Sequence, residues 1–390
     1  MIPGKFKGER LKTARIYRGM TLTDLAFDTG VTKQALSQYE NGTIKPNDGT
    51  LFAIADALHF PVGYFSIANN YAVKSEATYF RSLMSTTKKA RLAQTVRLEF
   101  IAQIYEVLCD YVEFRPLNLP TVFFADENTD GITESSHIEE IATQIRKFWG
   151  LDDTPIHDLL YTLEENGILI TCTSLDSDKI DAFSQRTIIN NGEVFFIVLS
   201  KDTQSIVRAI FDLAHELAHI LLHPWSEDIE SISKEDFKKR ERQANMFASS
   251  LLLPKSSFGF DISRYPVSLD YYIYLKSKWK VSAKAMIYRA NKLNIISPNQ
   301  YQNLMKQYAK KGWNRGEPDD QIFTPKNTSL QSAVELLLES RTLSPERFLS
   351  MLKTRGVFLH PSEIENLLCL HPGILAPQIP TKQNLLQLKK

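Results

Sequence analysis

Residues 211–223 read FDLAHELAHILLH, with His215 and His219 four positions apart and Glu216 directly after the first of them. Apolar residues recur around them at helical spacing, which predicts a helix over 205–223. Two side chains four residues apart lie on one helix face, about 6 Å apart along the axis, so both imidazoles can reach one zinc ion. Chance gives this pattern in about one chain of this length in a hundred. The stretch therefore predicts a zinc site built on a helix.

Glu216 lies about a quarter turn from the face that carries the two histidines. A carboxylate in this place can take a proton from water that the metal has made more acidic, and can then deliver the proton to a leaving amine. The same order of residues occurs in metallopeptidases. It predicts hydrolysis of a peptide bond, with Glu216 as the catalytic base.

His223 is the nearest further histidine, and it lies eight residues after His215. Eight residues span about 12 Å along a straight helix, which is too far for both side chains to bind one ion. We therefore expect His223 either to contact a ligand histidine from outside the metal's own coordination, or to lie beside the last carbonyl groups of the helix. The sequence leaves both roles open.

A third protein ligand must come from elsewhere in the chain. The metzincin pattern would place a histidine six residues after the second motif histidine, but that position is Trp225. A glutamate from the next predicted helix is the remaining source, and we favour Glu241 over Glu235 and Glu230, because it stands just before an apolar helix stripe. Asn245, one turn later, is expected to orient a ligand imidazole. Such ligands also permit manganese or iron in place of zinc.

Two runs of β-branched and aromatic residues precede the motif helix. Residues 167–175 read GILITCTSL and residues 193–200 read EVFFIVLS, with the turn signal Asn191-Gly192 before the second run. They predict a small sheet. Together with the helical patterns on either side, they define an α+β core that we place over 116–260.

Longer stretches around these motifs resemble the ImmA/IrrE family of metallopeptidases, over about 138–320. The stretches that carry the resemblance are RAIFDLAHELAHILLH at 208–223, ERQANMFASSLLLP at 241–254, DAFS at 181–184 and WKVSAKAMIYRA at 279–290. Ala218 is a departure, since the family usually has glycine there. Alanine favours a helix by about 1 kcal/mol, so we expect the site to persist. Tyr288 and Arg289, within the last stretch, are candidates for stabilising the oxyanion.

The resemblance implies a zincin-like fold with a gluzincin-like ligand set. In this set His215, His219 and Glu241 bind zinc, and Glu216 is the base. Members of the family are thought to act narrowly on helix-turn-helix repressors. The resemblance therefore implies a metalloendopeptidase with a specific repressor protein as its substrate.

Residues 21–42 read TLTDLAFDTGVTKQALSQYENG, two short helical patterns on either side of a turn. Thr21 and Thr32 are suited to cap the two helices, and Gly30 to make the turn. The stretch resembles the Xre or lambda-repressor type of helix-turn-helix. The resemblance implies a five-helix DNA-binding domain, which we place over 1–68, with a double-stranded DNA operator as its partner.

The second of these helices begins with polar side chains on its outer face, which is typical of a helix that reads base edges in the major groove. The expected DNA contacts are Thr32, Lys33, Gln34, Ser37 and Gln38. The resemblance assigns the base contacts to Lys33, Gln34 and Gln38. It also pairs Arg15 with Glu40 inside the domain. Such domains usually act as dimers on paired half-sites, which leaves a homodimer open.

The chain carries 46 basic and 45 acidic residues, which excludes a protein that is basic throughout. Residues 1–66 have a surplus of two positive charges, and residues 74–97 a surplus of five. Leu22 stands where such domains usually have a glutamine that contacts phosphate. We therefore expect modest, salt-sensitive DNA affinity. The segment 69–115, predicted as a basic linker and a helix, either adds phosphate contacts or lies free in solvent.

The composition of the 390 residues, 43% hydrophobic and 23% charged, is that of a globular protein with several domains. The helical patterns make it mainly α. The last region, 261–390, is helical, and its segment 325–390 offers no chemistry. The cysteines Cys109, Cys172 and Cys369 are far apart, so we expect neither a disulfide framework nor a cysteine zinc cluster. The absence of a signal-peptide pattern and of a membrane-length apolar stretch predicts a cytoplasmic protein without membrane contact.

Together, the two motifs predict a DNA-binding transcriptional regulator with an attached zinc-dependent endopeptidase, of the prophage, mobile-element or stress-response type. The alternative is a transcription factor whose peptidase-like domain senses a ligand, a metal or a partner and cuts nothing. Intact His215, Glu216 and His219 favour catalysis, because a site that has lost its activity does not need a base beside its metal ligands. A third hypothesis is self-cleavage in the basic stretch near 74–91.

Overall fold

The structure is a computed structural model of the 390-residue chain. The described residues are 5–67, 74–80 (backbone only), 87–120, 134–173, 182–190, 192–200, 205–225, 232–320 and 327–376. Within these ranges the protein is mainly helical and has one small sheet, so the predicted fold class is confirmed. None of the helices in these ranges is long and apolar enough to cross a membrane.

The N-terminal domain forms the helix-turn-helix that its sequence predicts. Its elements are α1 (Gly8–Tyr17), α2 (Leu22–Thr29), α3 (Lys33–Glu40), α4 (Asp48–Leu58) and a 3-10 helix (Val62–Ser66) in place of a fifth α-helix. Thr21 caps α2 by accepting the main-chain N–H of Asp24, whose carboxylate accepts the N–H of Thr21 in return. Thr32 caps α3 through the N–H of Ala35. Gly30 takes the positive φ of 68° that the turn between them requires.

One mixed sheet lies between the helices. Its strands are β1 (Lys74–Phe80), β2 (Ile168–Thr173), β3 (Ala182–Ile189) and β4 (Gly192–Ser200), in the order β1-β3-β4-β2. Strand β3 runs antiparallel to β1 and β4, whereas β2 runs parallel to β4. The two apolar runs in the sequence predicted β2 and β4, and the structure adds β1 and β3.

The segment 69–115 is more than the predicted linker and helix. Residues 74–80 form the edge strand β1, which pairs with β3 and shifts its register between Ser75 and Ala77. The helix α5 (Lys88–Leu108) then follows, as the amphipathic pattern indicates. The sequence of β1, KSEATYF, has two charged residues in seven and therefore no apolar run to mark it. Charges are tolerated on an edge strand, and this is why the pattern resembled a linker.

Four helices flank the sheet on the side of the histidine motif. They are α6 (Glu134–Phe148), α7 (Leu159–Glu165), α8 (Ile206–Leu222) and α9 (Lys234–Leu252). Helix α8 starts after its cap, Ser205, and ends before Pro224. Helix α9 starts after its cap, Ser233, and ends before Pro254. The bounds of α8 agree with the helix predicted over 205–223, and α9 packs along both α8 and α6.

Alternate residues of the sheet point into two separate hydrophobic cores. On one face, Ile168, Phe195 and Ile197 join the core that contains α6, α8 and α9. On the other face, Leu169 and Phe196 join the core of the N-terminal domain and α5. The sheet therefore lies between the DNA-binding domain and the body that carries the histidine motif, and it contributes side chains to the core of each.

The region 261–390, predicted as one helical unit, is divided between these cores in its described part. Its helices, with α10 just before them, are α10 (Lys255–Ile262), α11 (Leu269–Trp279), α12 (Ala283–Lys292), α13 (Pro298–Lys310), α14 (Ser329–Glu339), α15 (Pro345–Thr354) and α16 (Pro361–Leu367). Helices α10 to α13 join the first core, and α14 to α16 join the second. The described part of this region is helical, and a helical pattern by itself does not indicate which of two apolar surfaces each helix covers.

Cys172 on β2 and Cys369 after α16 form a disulfide, with their Cα atoms 6.2 Å apart. Next to it, the Thr171 hydroxyl donates to the Leu367 carbonyl at 2.7 Å. Cys109 is the free cysteine of the described chain. The expectation that no disulfide forms is therefore wrong. The two cysteines are 197 residues apart in sequence and meet only because the last helices return to the sheet.

Candidate metal centre and DNA-binding surface

Helices α8 and α9 bring the predicted metal ligands together. The Nε2 atoms of His215 and His219 on α8 lie 3.1 Å apart. Carboxylate oxygens of Glu241 on α9 lie 3.5 Å from Nε2 of His215 and 3.3 Å from Nε2 of His219. The apolar stripe of α9, with Ala244 and Phe247 fully buried, packs that helix against α8 and so positions the glutamate.

The spacing of these three ligand atoms fits one metal ion. Ligands about 2 Å from a tetrahedral centre lie about 3.3 Å from one another. The separations here are 3.1, 3.3 and 3.5 Å. His215 and His219 are buried, and only Glu241 keeps partial exposure. Three protein ligands are the number that catalytic zinc sites use, with the fourth position kept for water or substrate.

Glu241 is the carboxylate that reaches the two histidines among the described residues. Glu235 is exposed in the first turn of α9, and Glu230 lies outside the described residues. Burial by itself raises the pKa of Glu241, but the two neighbouring histidines, His215 and His219, outweigh it and lower the pKa to about 2. The carboxylate is therefore ionised at neutral pH, which is the form that binds a cation.

Glu216 lies on the same helix and is fully buried. The Ser184 hydroxyl on β3 donates to Oε2 of Glu216 at 2.7 Å, which holds the carboxylate in one orientation. Ser184 was not among the predicted site residues. Its signal was its place in the stretch DAFS, of which Asp181 lies outside the described residues.

His223 contacts a ligand histidine, the first of the two roles that the sequence leaves open. Its Nδ1 lies 2.8 Å from Nδ1 of His219, and its Nε2 lies 3.2 Å from Oε1 of Gln243 on α9. Burial, followed by the charge of His219, lowers the pKa of His223 to about 2, so its ring is neutral at physiological pH. Gln243 was not among the predicted site residues. Asn245, expected to orient an imidazole, donates its amide to the main-chain carbonyl of Glu241 at 2.7 Å.

Ala218, the departure from the family pattern, is fully buried in the core around α8. Its methyl group is accommodated inside an uninterrupted helix, as expected. The helix therefore keeps the spacing between the two motif histidines.

Arg289, a candidate for stabilising the oxyanion, is engaged in bonds that join helices. Its guanidinium is buried and donates to the Glu139 carboxylate (Nη1 to Oε2, 2.7 Å) and to the Leu253 carbonyl (Nε, 3.0 Å). These bonds tie α12 to α6 and to the end of α9. Tyr288 is 42% exposed, with the Lys292 ammonium 5.3 Å from the centre of its ring.

Helix α3 presents the residues that were predicted to contact DNA. Thr32, Lys33 and Gln34 at its start are exposed, and Ser37 and Gln38 on the next turn are half-buried. Polar side chains at the start of a recognition helix are the ones that reach base edges. The surface is therefore available for the predicted contacts.

The predicted ion pair inside the domain is present. Nε of Arg15 lies 2.6 Å from Oε1 of Glu40, and Nη2 lies 2.9 Å from Oε2. The third guanidinium nitrogen donates to the Met20 carbonyl at 2.8 Å. This arrangement ties α1 to the end of α3 and to the loop before α2.

Lys89, one of the basic residues of 74–97, lies beside the helix-turn-helix. Its Nζ is 3.0 Å from Oδ2 of Asp24 in the first turn of α2, and both side chains are nearly half exposed. Lys89, Leu22 and Lys33 line one shallow groove. The start of α5 thus places a positively charged side chain in the same groove as Leu22.

Comparison with known families agrees with this geometry. Residues 163–291 match the family model described as the IrrE N-terminal-like domain. Residues 11–65 match a helix-turn-helix model. No curated protein matches the chain. The two matched ranges contain the candidate metal ligands and the helix α3, respectively.

Proposed function

We propose that the protein is a DNA-binding transcriptional regulator with zinc-dependent endopeptidase activity. The chain joins an Xre-type helix-turn-helix domain to a peptidase domain of the ImmA/IrrE type. Its substrate is a specific helix-turn-helix repressor, and its DNA partner is a double-stranded operator. The observation that carries the proposal is the convergence of His215, His219 and Glu241 on one point, on the helix that also carries the buried Glu216.

The mechanism follows from the residues around that point. His215, His219 and Glu241 would hold the zinc ion, which would supply a Lewis acid able to lower the pKa of water and to polarise a carbonyl group. Glu216 accepts a proton from the attacking water and transfers it to the leaving amine. Ser184 keeps the Glu216 carboxylate oriented for both transfers. Burial of the site limits competing contacts with bulk water.

The variant Glu216→Gln tests this mechanism, because an amide keeps the size of the side chain and cannot accept the proton. Full-length wild-type and variant proteins are produced in the same cells, and new protein N-termini are compared by mass spectrometry. We expect wild-type protein to create N-termini within a helix-turn-helix repressor and E216Q to create none, at equal zinc content. Equal cleavage by zinc-loaded E216Q would sink the proposed mechanism.

A sensor function is the second candidate, and one observation favours it. The sheet is shared between the core of the DNA-binding domain and the core around the metal ligands, so a change at one side has a physical route to the other. In this alternative, occupancy of the site changes operator affinity and nothing is cut. If E216Q keeps full regulation of the operator in cells, the sensor function stands and the peptidase function falls. A constant intact mass after zinc addition would exclude self-cleavage near 74–91.

A further inference from the structure

A row of hydrogen bonds runs from the ligand histidine His219 to the surface of the molecule. Nδ1 of His219 lies 2.8 Å from Nδ1 of His223, and Nε2 of His223 lies 3.2 Å from Oε1 of Gln243. The Gln243 amide nitrogen then donates to Oε1 of Glu134 at 2.7 Å. His219 and His223 belong to α8 and its end, Gln243 to α9 and Glu134 to the start of α6, so three helices meet in this row.

The direction of each hydrogen bond follows from the chemistry at its ends. A carboxylate only accepts, so the amide nitrogen of Gln243 faces Glu134 and the amide oxygen faces His223. An amide oxygen also only accepts, so Nε2 of His223 carries a proton and Nδ1 of its neutral ring carries a lone pair. That lone pair accepts the Nδ1 proton of His219. Nε2 of His219 is then left with its own lone pair, the form that binds a metal.

We propose that Glu134, Gln243 and His223 are positioning residues that hold His219 in the tautomer whose Nε2 lone pair faces the metal position. The inference rests on the proposed zinc site. Without these bonds, the imidazole of His219 divides between two tautomers and is free to turn about its side-chain bonds. Each alternative state competes with metal binding, and loss of such supporting partners weakens metal affinity about 10- to 100-fold.

The same arrangement explains why the site selects a cation. With the proton of His219 on Nδ1, its Nε2 lone pair and the ionised carboxylate of Glu241 face each other at 3.3 Å. Two electron-pair donors at this distance repel one another unless a positive charge lies between them. We call the row of hydrogen bonds from His219 through His223 and Gln243 to Glu134 the relay. The relay keeps the Nε2 lone pair of His219 facing the Glu241 carboxylate, and a bound metal ion relieves the repulsion between them.

The tautomer can be read directly in the full-length protein. Two-bond nitrogen–proton correlation spectra of ¹⁵N-histidine-labelled, metal-free protein at roughly pH 8.5, above the ordinary titration range of histidine, distinguish the two neutral forms. We expect His219 to carry its proton on Nδ1 and His223 on Nε2. His223→Phe removes the acceptor and should give a mixture at His219. His223→Asn places an amide oxygen near the lost Nδ1 and should restore the single form.

Zinc affinity of the same proteins, measured by competition with a chelator, is the second readout. H223F is expected to bind zinc at least about tenfold more weakly than wild type, and H223N within about threefold of it. Gln243→Leu, at a half-buried position, should weaken zinc binding about three- to tenfold, and it keeps the test open if H223F does not fold. Gln307→Leu, the same change at an exposed position on α13, is the matched control and should leave zinc affinity unchanged.

An unchanged His219 tautomer in H223F would overturn the relay. Equal loss of zinc affinity in H223F and H223N would also overturn it, because packing and not hydrogen bonding would then be responsible. Neither readout involves peptide cleavage. If wild-type protein binds zinc but cleaves no peptide bond, the proposed peptidase function is refuted and the relay is unaffected. If wild-type protein cleaves its substrate and the H223F and Q243L variants keep wild-type zinc affinity, the relay alone is refuted.

Discussion

Ser184 holds the proposed base through one hydrogen bond, so its removal tests how far catalysis depends on that orientation. Ser184→Ala leaves Glu216 in place but lets its carboxylate turn. Because proton transfer requires a close and aligned acceptor, we expect kcat for the repressor substrate to fall about tenfold at unchanged zinc content. Steady-state kinetics and metal analysis check this. Ser249→Ala, which removes a buried hydroxyl on α9, is the control and should keep full activity. Loss of zinc in S184A would contradict the assigned role.

Glu241 and Glu235 lie on the same helix and differ in what they reach. Glu241→Gln removes a charged ligand, so we expect zinc affinity to fall by at least about a hundredfold, more than loss of a supporting partner costs. Glu235→Gln, at an exposed position, should leave zinc affinity unchanged. Chelator competition on both variants measures the difference. If E235Q lost zinc and E241Q kept it, the ligand assignment would be wrong.

Sequence alone could identify the ligands but not the residues that support them. His215, Glu216 and His219 are fixed relative to one another by helical periodicity, so their spacing is itself a structural statement. Ser184 and Gln243 reach the site across gaps between elements, and a single serine in a strand or glutamine in a helix forms no pattern. The disulfide partners were missed for the same reason.

Helices α2 and α3 were predicted from their threonine caps, and α8 and α9 from their apolar stripes, because these are local signals. Strands β1 and β3 lack such signals. Residues 182–189 read AFSQRTII, a mixture of polar and apolar side chains that is stabilised by two neighbouring strands. A strand of this kind is determined by its partners, and these cannot be read from the strand's own sequence.

The start of α5 provides a test of the DNA-binding surface. Lys89→Gln removes a positive charge beside α2, the helix that crosses the DNA backbone in this type of domain. If Lys89 neutralises one phosphate, the slope of log affinity against log salt for a random-sequence duplex should fall in magnitude by about 0.9. Lys306→Gln, exposed on α13 in the other core, should keep the wild-type slope. Identical slopes for K89Q and wild type would place Lys89 away from the DNA.

Glu164 joins three elements, and its charge state makes their packing depend on pH. Its carboxylate accepts the main-chain N–H of Ser329 at the start of α14 and of Ile170 on β2. Burial raises the pKa of Glu164 from 4.5 to about 7, against the opposing effect of these bonds. The folded state therefore binds the proton more tightly than the unfolded state. This stabilisation is complete below about pH 4.5 and is lost as the pH rises through 7.

Glu164→Gln cannot titrate, so it should remove this dependence. We expect the free energy of unfolding of wild type to fall relative to that of E164Q by roughly 2–3 kcal/mol between pH 4.5 and 8. Denaturant unfolding of both proteins across this range measures the difference. Parallel pH profiles would show that the bonds from α14 and β2 offset burial and leave the pKa of Glu164 unshifted.

At the scale of the whole molecule, the DNA-binding domain packs against the rest of the protein and is not a separate unit on a free linker. Its core continues through α5 to one face of the sheet and is covered by α14 to α16. The other face of the sheet belongs to the core around the metal ligands. The motifs predicted two functional parts correctly. The sheet that both parts share depends on contacts between residues that are hundreds of positions apart in the sequence, and such contacts leave no local pattern.

The contact between α16 and the N-terminal domain allows this arrangement to be tested. Glu363 accepts the Tyr17 hydroxyl at 3.0 Å and Nη1 of Arg18 at 2.9 Å. Burial, followed by the charge of Glu363, raises the pKa of Tyr17, so its hydroxyl stays protonated and donates. Glu363→Ala removes the acceptor for both groups and leaves the Tyr17 hydroxyl buried, at a cost of about 1–2 kcal/mol.

Amide hydrogen exchange of the full-length E363A variant should therefore accelerate in α1 and α16 by about 5- to 30-fold, while α8 and α9 in the other core keep their wild-type rates. Glu339→Ala, at the exposed end of α14, is the matched control and should change neither pair. Faster exchange in all four helices would mean that the two cores unfold as one unit. Unchanged exchange in α1 would mean that the shared apolar core, and not this polar contact, holds the DNA-binding domain against the C-terminal helices.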